Sequence, residues 1–105
     1  MAIDSRLKKD VLELREGMLG DNPSNWTCGM VCFALQGFLY FALGLETCLY
    51  EGDLGEMNHI WMMLPDGRVL DPTADQFNFW FPHKKYPKVH LGKMLDIHEN
   101  AKPCN

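Results

Sequence analysis

The segment Cys28–Leu43 constrains the fold of this chain most, because it contains no charged residue and is apolar on nearly every side. Its apolar residues are Met30, Val31, Phe33, Ala34, Leu35, Phe38, Leu39, Tyr40, Phe41 and Leu43. A helix that is apolar all round is typical of one surrounded by a protein core. Gly44 follows as a suitable C-terminal stop. We therefore predict a helix over Cys28–Leu43 that is buried on most of its sides.

A second helical pattern precedes this segment. Residues 5–18 place their apolar residues on one face, which consists of Leu7, Val11, Leu14 and Met18. Such spacing predicts an amphipathic helix with one buried face. The turn-forming residues between positions 20 and 27 predict a loop that joins the two helices.

The second half of the chain predicts strands, over residues 45–50, 59–64, 68–71 and 88–91. An acidic loop over residues 51–57 and an irregular aromatic stretch after Pro72 interrupt them. Two helices followed by antiparallel strands define an α+β fold. We predict a buried helix in the N-terminal half packed on a small antiparallel sheet, and a single domain over residues 1–105.

Composition and charge argue against several classes of function. Hydrophobic residues make up 47% of the chain and charged residues 23%, which is typical of a globular domain. The net charge is -4, so the lysines of residues 83–93 predict a solvated face rather than nucleic-acid binding. We expect no signal peptide, no transmembrane helix and no membrane association, and hence a cytoplasmic protein.

The four cysteines are expected to be reduced thiols in that compartment. The Cys-x3-Cys spacing of Cys28 and Cys32 is a poor zinc signature, because no second pair of close ligands accompanies it. We therefore predict no metal and no cofactor. Cys32 and Cys48 are expected to be inert core thiols, and Cys104 is expected to lie in a tail without function.

Cys28 differs from the other cysteines because it stands where the loop becomes the predicted helix. The unpaired N–H groups and the dipole of a helix N-terminus favour an anion. A thiol in that position has a lowered pKa and can act as a nucleophile, and the same N–H groups can stabilise an oxyanion. The alternative interpretation is a small buried residue that opens a core helix.

His59 and Asp71 are the second part of the candidate site. The turn at residues 65–67 suits a three-residue hairpin loop, which places Asp71 opposite Trp61 and on the same sheet face as His59. The two side chains are then a diagonal pair within hydrogen-bonding reach. A carboxylate bonded to one imidazole nitrogen lets the other accept the thiol proton. A two-residue loop would place Asp71 on the opposite face.

Several other residues have weaker claims. Asn25 is the favoured second oxyanion donor, with Asn22 and Trp26 as alternatives. Asp75 and Gln76 are expected to order the loop after Asp71. The remaining histidines are expected to be solvated tail residues, and these are His83, His90 and His98. Three aromatic residues are expected to pack over the sheet or, alternatively, to line a substrate groove, and these are Phe79, Trp80 and Phe81.

Two stretches of the sequence resemble the papain-like and transglutaminase-like cysteine enzymes. They are NWTCGMVC at residues 25–32 and HIWMMLPDGRVLDPTADQF at residues 59–77, and KVHLG at 88–92 resembles the end of the second block in small bacterial and phage members. The order Cys, His, Asp matches that superfamily over roughly residues 22–92. The resemblance implies that Cys28 is the nucleophile, His59 the base and Asp71 the orienting residue. It implies a peptidase, amidase, glutamine deamidase or transglutaminase.

The sequence therefore predicts a cysteine-dependent hydrolase or acyltransferase that attacks an amide or ester, with a peptide or protein amide as substrate. The short interval between Cys28 and His59 leaves little chain for a substrate-binding subdomain. An alternative is a non-catalytic protein-binding module with the same fold, whose contact patch is the aromatic stretch at residues 77–81. A redox or metal protein that uses Cys28 and Cys32 is the third class. The oligomeric state stays open.

Overall fold

The computed structural model describes residues 2–20, 28–53, 58–99 and 101–104. The two α-helices are α1 (Ala2–Leu19) and α2 (Cys28–Leu43). The five strands are β1 (Cys48–Asp53), β2 (Asn58–Met63), β3 (Val69–Asp71), β4 (His90–Gly92) and β5 (Lys102–Pro103). Short 3-10 helices span Ala74–Phe79, Pro82–Lys84 and Asp96–His98.

The strands form one antiparallel sheet in the order β4-β3-β2-β1-β5. Leu49, Met62 and Leu70 are paired across three strands, so they share one face, and this face packs with residues of both helices such as Val11 and Leu35. The architecture is therefore α+β with helices on an antiparallel sheet, as predicted. Among the described residues, no helix combines the length and apolarity needed to cross a membrane.

The opposite face of the sheet carries the second, smaller core. Phe77 and Ile97, from two of the 3-10 helices, are buried there. The Trp61 ring packs against His98 with centroids 4.8 Å apart, and the His59 ring packs edge-on against Phe77 at 4.7 Å. This face, covered by irregular chain rather than by a long helix, holds the candidate site.

The hairpin between β2 and β3 has the register expected from its turn. Met62 pairs with Leu70, and Met63 pairs with Val69. The loop closes with a hydrogen bond from Leu64 N to the carbonyl of Arg68 at 2.8 Å, and Gly67 has a φ of 89°. Glycine suits that position because it alone adopts positive φ without steric cost. The three-residue loop is thus confirmed, and the two-residue alternative is wrong.

The bounds predicted for α2 are confirmed, but its predicted burial is wrong. Only four of its side chains are buried, and these are Val31, Cys32, Leu35 and Leu39. Phe33 is 63% exposed and Phe41 is 85% exposed. The helix packs on the sheet with one face, and no described segment covers the other. An apolar sequence pattern therefore overstated how many sides of α2 are covered within this fold.

Other elements differ from the prediction at their ends. β1 begins later than expected and continues through Asp53, into the predicted acidic loop. The stretch after Pro72 contains a 3-10 helix, and the tail forms β5 on the edge of β1. Cys48 is exposed rather than a core thiol. Cys104 donates its backbone N–H to the carbonyl of Leu49 at 2.9 Å, so the tail is tied to the sheet.

We expect Gly52→Ala to lower the free energy of unfolding by about 1–3 kcal/mol, the usual cost of overpacking. A Cβ at Gly52 would lie 2.8 Å from the Trp61 ring and 3.0 Å from the carbonyl oxygen of Glu99. Gly37→Ala is the matched control, because a Cβ there meets nothing within 4 Å. Gly37 lies within α2, so Gly37→Ala should raise the free energy of unfolding by about 0.5–1 kcal/mol. Urea unfolding measures both, and equal stability of the two variants would contradict the expected clash.

Candidate active site

Cys28 is the first residue of α2, and the start of this helix packs against β2. A Cβ at Gly29 would lie 3.6 Å from the side chain of Ile60, and Cys32 donates its thiol hydrogen to the carbonyl of Ile60 at 3.4 Å. Ile60 directly follows His59 in the strand. The Cys28 thiol is half-buried at this junction, and it is hydrogen-bonded to the His59 side chain and to the backbone of Ile60.

His59 and Asp71 form a hydrogen bond between neighbouring strands. His59 Nε2 lies 2.6 Å from Asp71 Oδ2, and both side chains are completely buried. The second carboxylate oxygen, Oδ1, accepts the backbone N–H of Thr73 at 3.1 Å. The three residues predicted as nucleophile, base and orienting group thus lie in one connected set of hydrogen bonds.

The second nitrogen of His59 is occupied by a residue that sequence reasoning assigned only to loop structure. The Gln76 amide lies 2.9 Å from His59 Nδ1 and donates to the hydroxyl of Thr73 at 3.2 Å. Because Nε2 serves Asp71, Nδ1 is the nitrogen that can exchange a proton with Cys28, and Gln76 shares it with the thiol. An amide presents either N–H or C=O, so Gln76 can serve a neutral or a protonated His59.

His98 also belongs to this cluster, and the prediction of a solvated tail histidine is wrong. Its side chain is completely buried, and its Nε2 lies 2.7 Å from Asp71 Oδ2. The 3-10 helix Asp96–His98 brings the ring under the second face of the sheet. Its sequence neighbour Asp96 is exposed and bonds to Lys84 and Tyr86 instead.

The surroundings of Cys28 favour its thiolate. Burial opposes ionisation, but hydrogen bonds with His59 and the Ile60 backbone, the charge of His59 and the Gly29 backbone outweigh it. The pKa of the Cys28 thiol is therefore lowered from its ordinary value. Cys32 contrasts with it, because deep burial and the charge of Asp71 raise the pKa of the Cys32 thiol well above its ordinary value.

The imidazole and the carboxylate are shifted in the complementary sense. Burial alone would lower the pKa of His59, but the charge and hydrogen bond of Asp71, with help from Cys28, raise it from 6.5 to about 9. Burial disfavours the Asp71 carboxylate, yet His59 and His98 hold its pKa well below the usual range. A thiolate beside an imidazolium, with a carboxylate behind it, is the arrangement of an activated cysteine nucleophile.

His59, Asp71 and His98 also offer three atoms of the kind that bind metals, all within 4.8 Å of one another. The distances discriminate between the two uses. Asp71 Oδ2 lies 2.6 and 2.7 Å from the two imidazole nitrogens. Two ligands of one tetrahedral zinc lie about 3.3 Å apart, given zinc bonds of about 2.0–2.1 Å. The geometry fits hydrogen bonds.

The remaining predicted residues are placed as follows. Asn25, with Asn22 and Trp26, lies outside the described residues. Asp75 has the expected structural role, because the buried Arg15 of α1 donates to it at 2.8 Å and so ties α1 to the 3-10 helix that carries Gln76.

The aromatic residues and the other histidines lie outside this cluster. Phe79 and Phe81 are exposed, so their predicted packing over the sheet is wrong, whereas Trp80 is half-buried against the smaller core. His83 is exposed as predicted. The prediction of a solvated tail histidine is wrong for His90, which is half-buried, stacks on His98 and bonds to the carbonyl of Lys93 at 2.6 Å.

In comparisons with known proteins, the chain matches no family model, no curated protein and no solved structure. Any function is therefore inferred from the geometry of the site.

Proposed function

We propose that this chain is a cysteine-dependent hydrolase or acyltransferase that acts on an amide or ester, with a core of the papain-like or transglutaminase-like kind. The observation that carries the proposal is the buried 2.6 Å hydrogen bond between His59 and Asp71, with the Cys28 thiol hydrogen-bonded to the same imidazole. A buried histidine is satisfied by one partner at each ring nitrogen, and His59 has these in Asp71 and Gln76. The additional hydrogen bond with the Cys28 thiol is one that a purely structural histidine does not need.

The chemistry divides into two acyl transfers. His59 takes the Cys28 proton, and the thiolate sulfur attacks the substrate carbonyl carbon to form a C–S bond and an oxyanion. The unpaired backbone N–H groups of a helix N-terminus can stabilise that oxyanion, and we propose that those at the start of α2 do so. The His59 imidazolium then donates its proton to the departing amine or alcohol as the C–N or C–O bond breaks. Water or an amine, deprotonated by His59, releases the acyl group from the thioester.

Asp71 supports this cycle without taking the proton. Its carboxylate fixes His59 with Nε2–H toward Asp71, so Nδ1 is the nitrogen that faces the chemistry. A peptide or protein amide is the substrate class we propose. The short interval between Cys28 and His59 leaves little chain for a substrate-binding subdomain, so we propose that the substrate is small or is presented by a partner.

We expect Cys28 to be alkylated at pH 6 about tenfold faster than an ordinary thiol. A larger fraction of Cys28 is thiolate at that pH, and this gain is only partly offset because a thiolate of lower pKa is a weaker nucleophile. Mass spectrometry after iodoacetamide treatment gives the rate at each cysteine against pH. His59→Ala should remove the advantage, because the imidazolium that stabilises the thiolate is gone. The exposed Cys48 is the internal control for the reagent. Cys28 labelling that follows ordinary thiol ionisation and ignores His59 would refute the enzyme proposal.

A specific observation also favours the second candidate, a protein-binding module. The outer face of α2 exposes four large apolar side chains, Met30, Phe33, Tyr40 and Phe41. The sequence of α2 contains no charged residue. Contiguous exposed apolar surface is typical of an interaction site. A binding module needs no activated thiol, so the same alkylation experiment separates the two candidates: a binder alone would give Cys28 rates that His59→Ala does not change.

A further inference from the structure

We infer that His98 is a positioning residue, which acts through Asp71 to hold the His59 imidazole and so the reactivity of Cys28; the inference rests on the proposed function. His98 Nε2 and His59 Nε2 both lie against the same oxygen of Asp71, at 2.7 and 2.6 Å. His98 thus extends the set of Cys28, His59 and Asp71 beyond the carboxylate, as Gln76 extends it at His59 Nδ1.

The protonation of His98 follows from its second nitrogen. His98 Nδ1 accepts the backbone N–H of Leu95 at 2.9 Å. A nitrogen that accepts this bond carries no proton, so the proton of the neutral ring is on Nε2 and points to Asp71. The backbone of the 3-10 helix Asp96–His98 therefore selects the tautomer that donates to the carboxylate.

A neutral donor is suited to this position. With the Thr73 N–H at 3.1 Å, the buried Asp71 carboxylate receives three N–H donors, which fix its orientation and favour its charged form. Only His59, of these donors, becomes cationic in the proposed cycle. His98 thus stabilises the carboxylate without placing a second positive charge beside the imidazolium, and the negative charge of Asp71 remains available to His59.

The packing around His98 holds its ring in place. Trp61 lies 4.8 Å from it, and the rings of His59 and His90 are stacked on it at 5.9 and 5.8 Å. The titratable groups that face it are therefore Asp71 and His59 from the adjoining strands and His90 from β4. His90 itself bonds to the carbonyl of Lys93 rather than to the carboxylate, which makes it a matched control.

The test is the rate of Cys28 alkylation between pH 5 and 10 in the wild type, His98→Leu, His98→Gln and His90→Gln. His98→Leu loses a hydrogen bond to a charged group, so Cys28 in this variant should be alkylated about tenfold or more slowly at pH 6. The pH range over which Cys28 is alkylated faster than an ordinary thiol should also become narrower. Glutamine carries an N–H at about the reach of the imidazole Nε2, so His98→Gln should stay within about threefold of the wild type. His90→Gln changes the packing on the His98 ring but leaves every hydrogen bond to Asp71, so it should stay within about threefold of the wild type.

A second measurement does not depend on the variants folding. Long-range proton–nitrogen NMR of the wild type at pH 7 should show His98 protonated at Nε2 and bare at Nδ1. A proton on Nδ1 of His98 would overturn the inference. So would His98→Leu with the wild-type alkylation profile, or His98→Gln as slow as a folded His98→Leu. If His59→Ala does not change the rate of Cys28 labelling, both the proposed function and the role of His98 fail. If His59→Ala slows the labelling but His98→Leu does not, only the role of His98 fails.

Discussion

The Asp71→Asn variant is expected to lose at least about 3 kcal/mol of unfolding free energy, although it changes a single atom of the side chain. In the wild type one carboxylate oxygen accepts from His59 and His98, and the other accepts the Thr73 N–H. An amide has only one acceptor oxygen. Either orientation of the new amide therefore directs its NH2 at a buried N–H donor, at Thr73 or at the two imidazoles.

Urea unfolding at pH 7 measures the loss, and Asp66→Asn is the matched control. Asp66 is exposed and accepts the Arg68 backbone N–H at 3.0 Å, a bond that an asparagine oxygen can also accept. Its ion pair with the Arg68 guanidinium at 2.8 Å is solvent-exposed and contributes little stability, so this variant should unfold close to the wild type. In folded Asp71→Asn protein, Cys28 alkylation at pH 6 should also be slowed about tenfold or more, since His59 loses its counter-charge. A variant as stable as Asp66→Asn would show that Asp71 is not bound as a shared acceptor.

The sequence was most informative where local geometry determines the outcome. The Pro-Asp-Gly turn suits a three-residue loop, although the sequence alone also allows a two-residue loop. The loop length sets the β2–β3 register, and the register brings His59 and Asp71 to one face. The bounds of α2 follow equally from Gly44, which has a φ of 65°. These inferences depend on neighbours in sequence and needed no tertiary information.

His98 shows where such inference ends. It is 27 positions from Asp71 in sequence. Only the packing of a 3-10 helix under the sheet brings the two together. The exposed face of α2 was missed for a related reason, because hydrophobicity shows that a helix resists water but not how many sides the rest of the fold covers. Gln76 lies five residues after Asp71, yet its contact with His59 depends on the turn at Thr73.

Near neutral pH the stability of the protein should depend on pH through two opposing groups, His59 and Cys28. The pKa of His59 is raised from 6.5 to about 9, so its contribution is complete below 6.5 and is lost as the pH rises through 9. The pKa of Cys28 is lowered, so its contribution is complete above the value of the unfolded thiol and is lost as the pH falls. Where both groups titrate, the two slopes have opposite signs and partly cancel in the wild type.

Cys28→Ser removes one of these groups and exposes the slope of the other. The free energy of unfolding of this variant should fall by about 2–3 kcal/mol between pH 6.5 and 9. The raised pKa of His59 contributes about 1.36 kcal/mol per pH unit, and the part of that rise caused by Cys28 is absent from the variant. Cys48→Ser, at an exposed thiol, is the control and should keep the shallower wild-type profile. Urea unfolding at several pH values measures both. A Cys28→Ser profile as shallow as that of Cys48→Ser would mean that Cys28 and His59 do not share a proton, because removing a coupled thiol must leave the imidazolium to titrate alone.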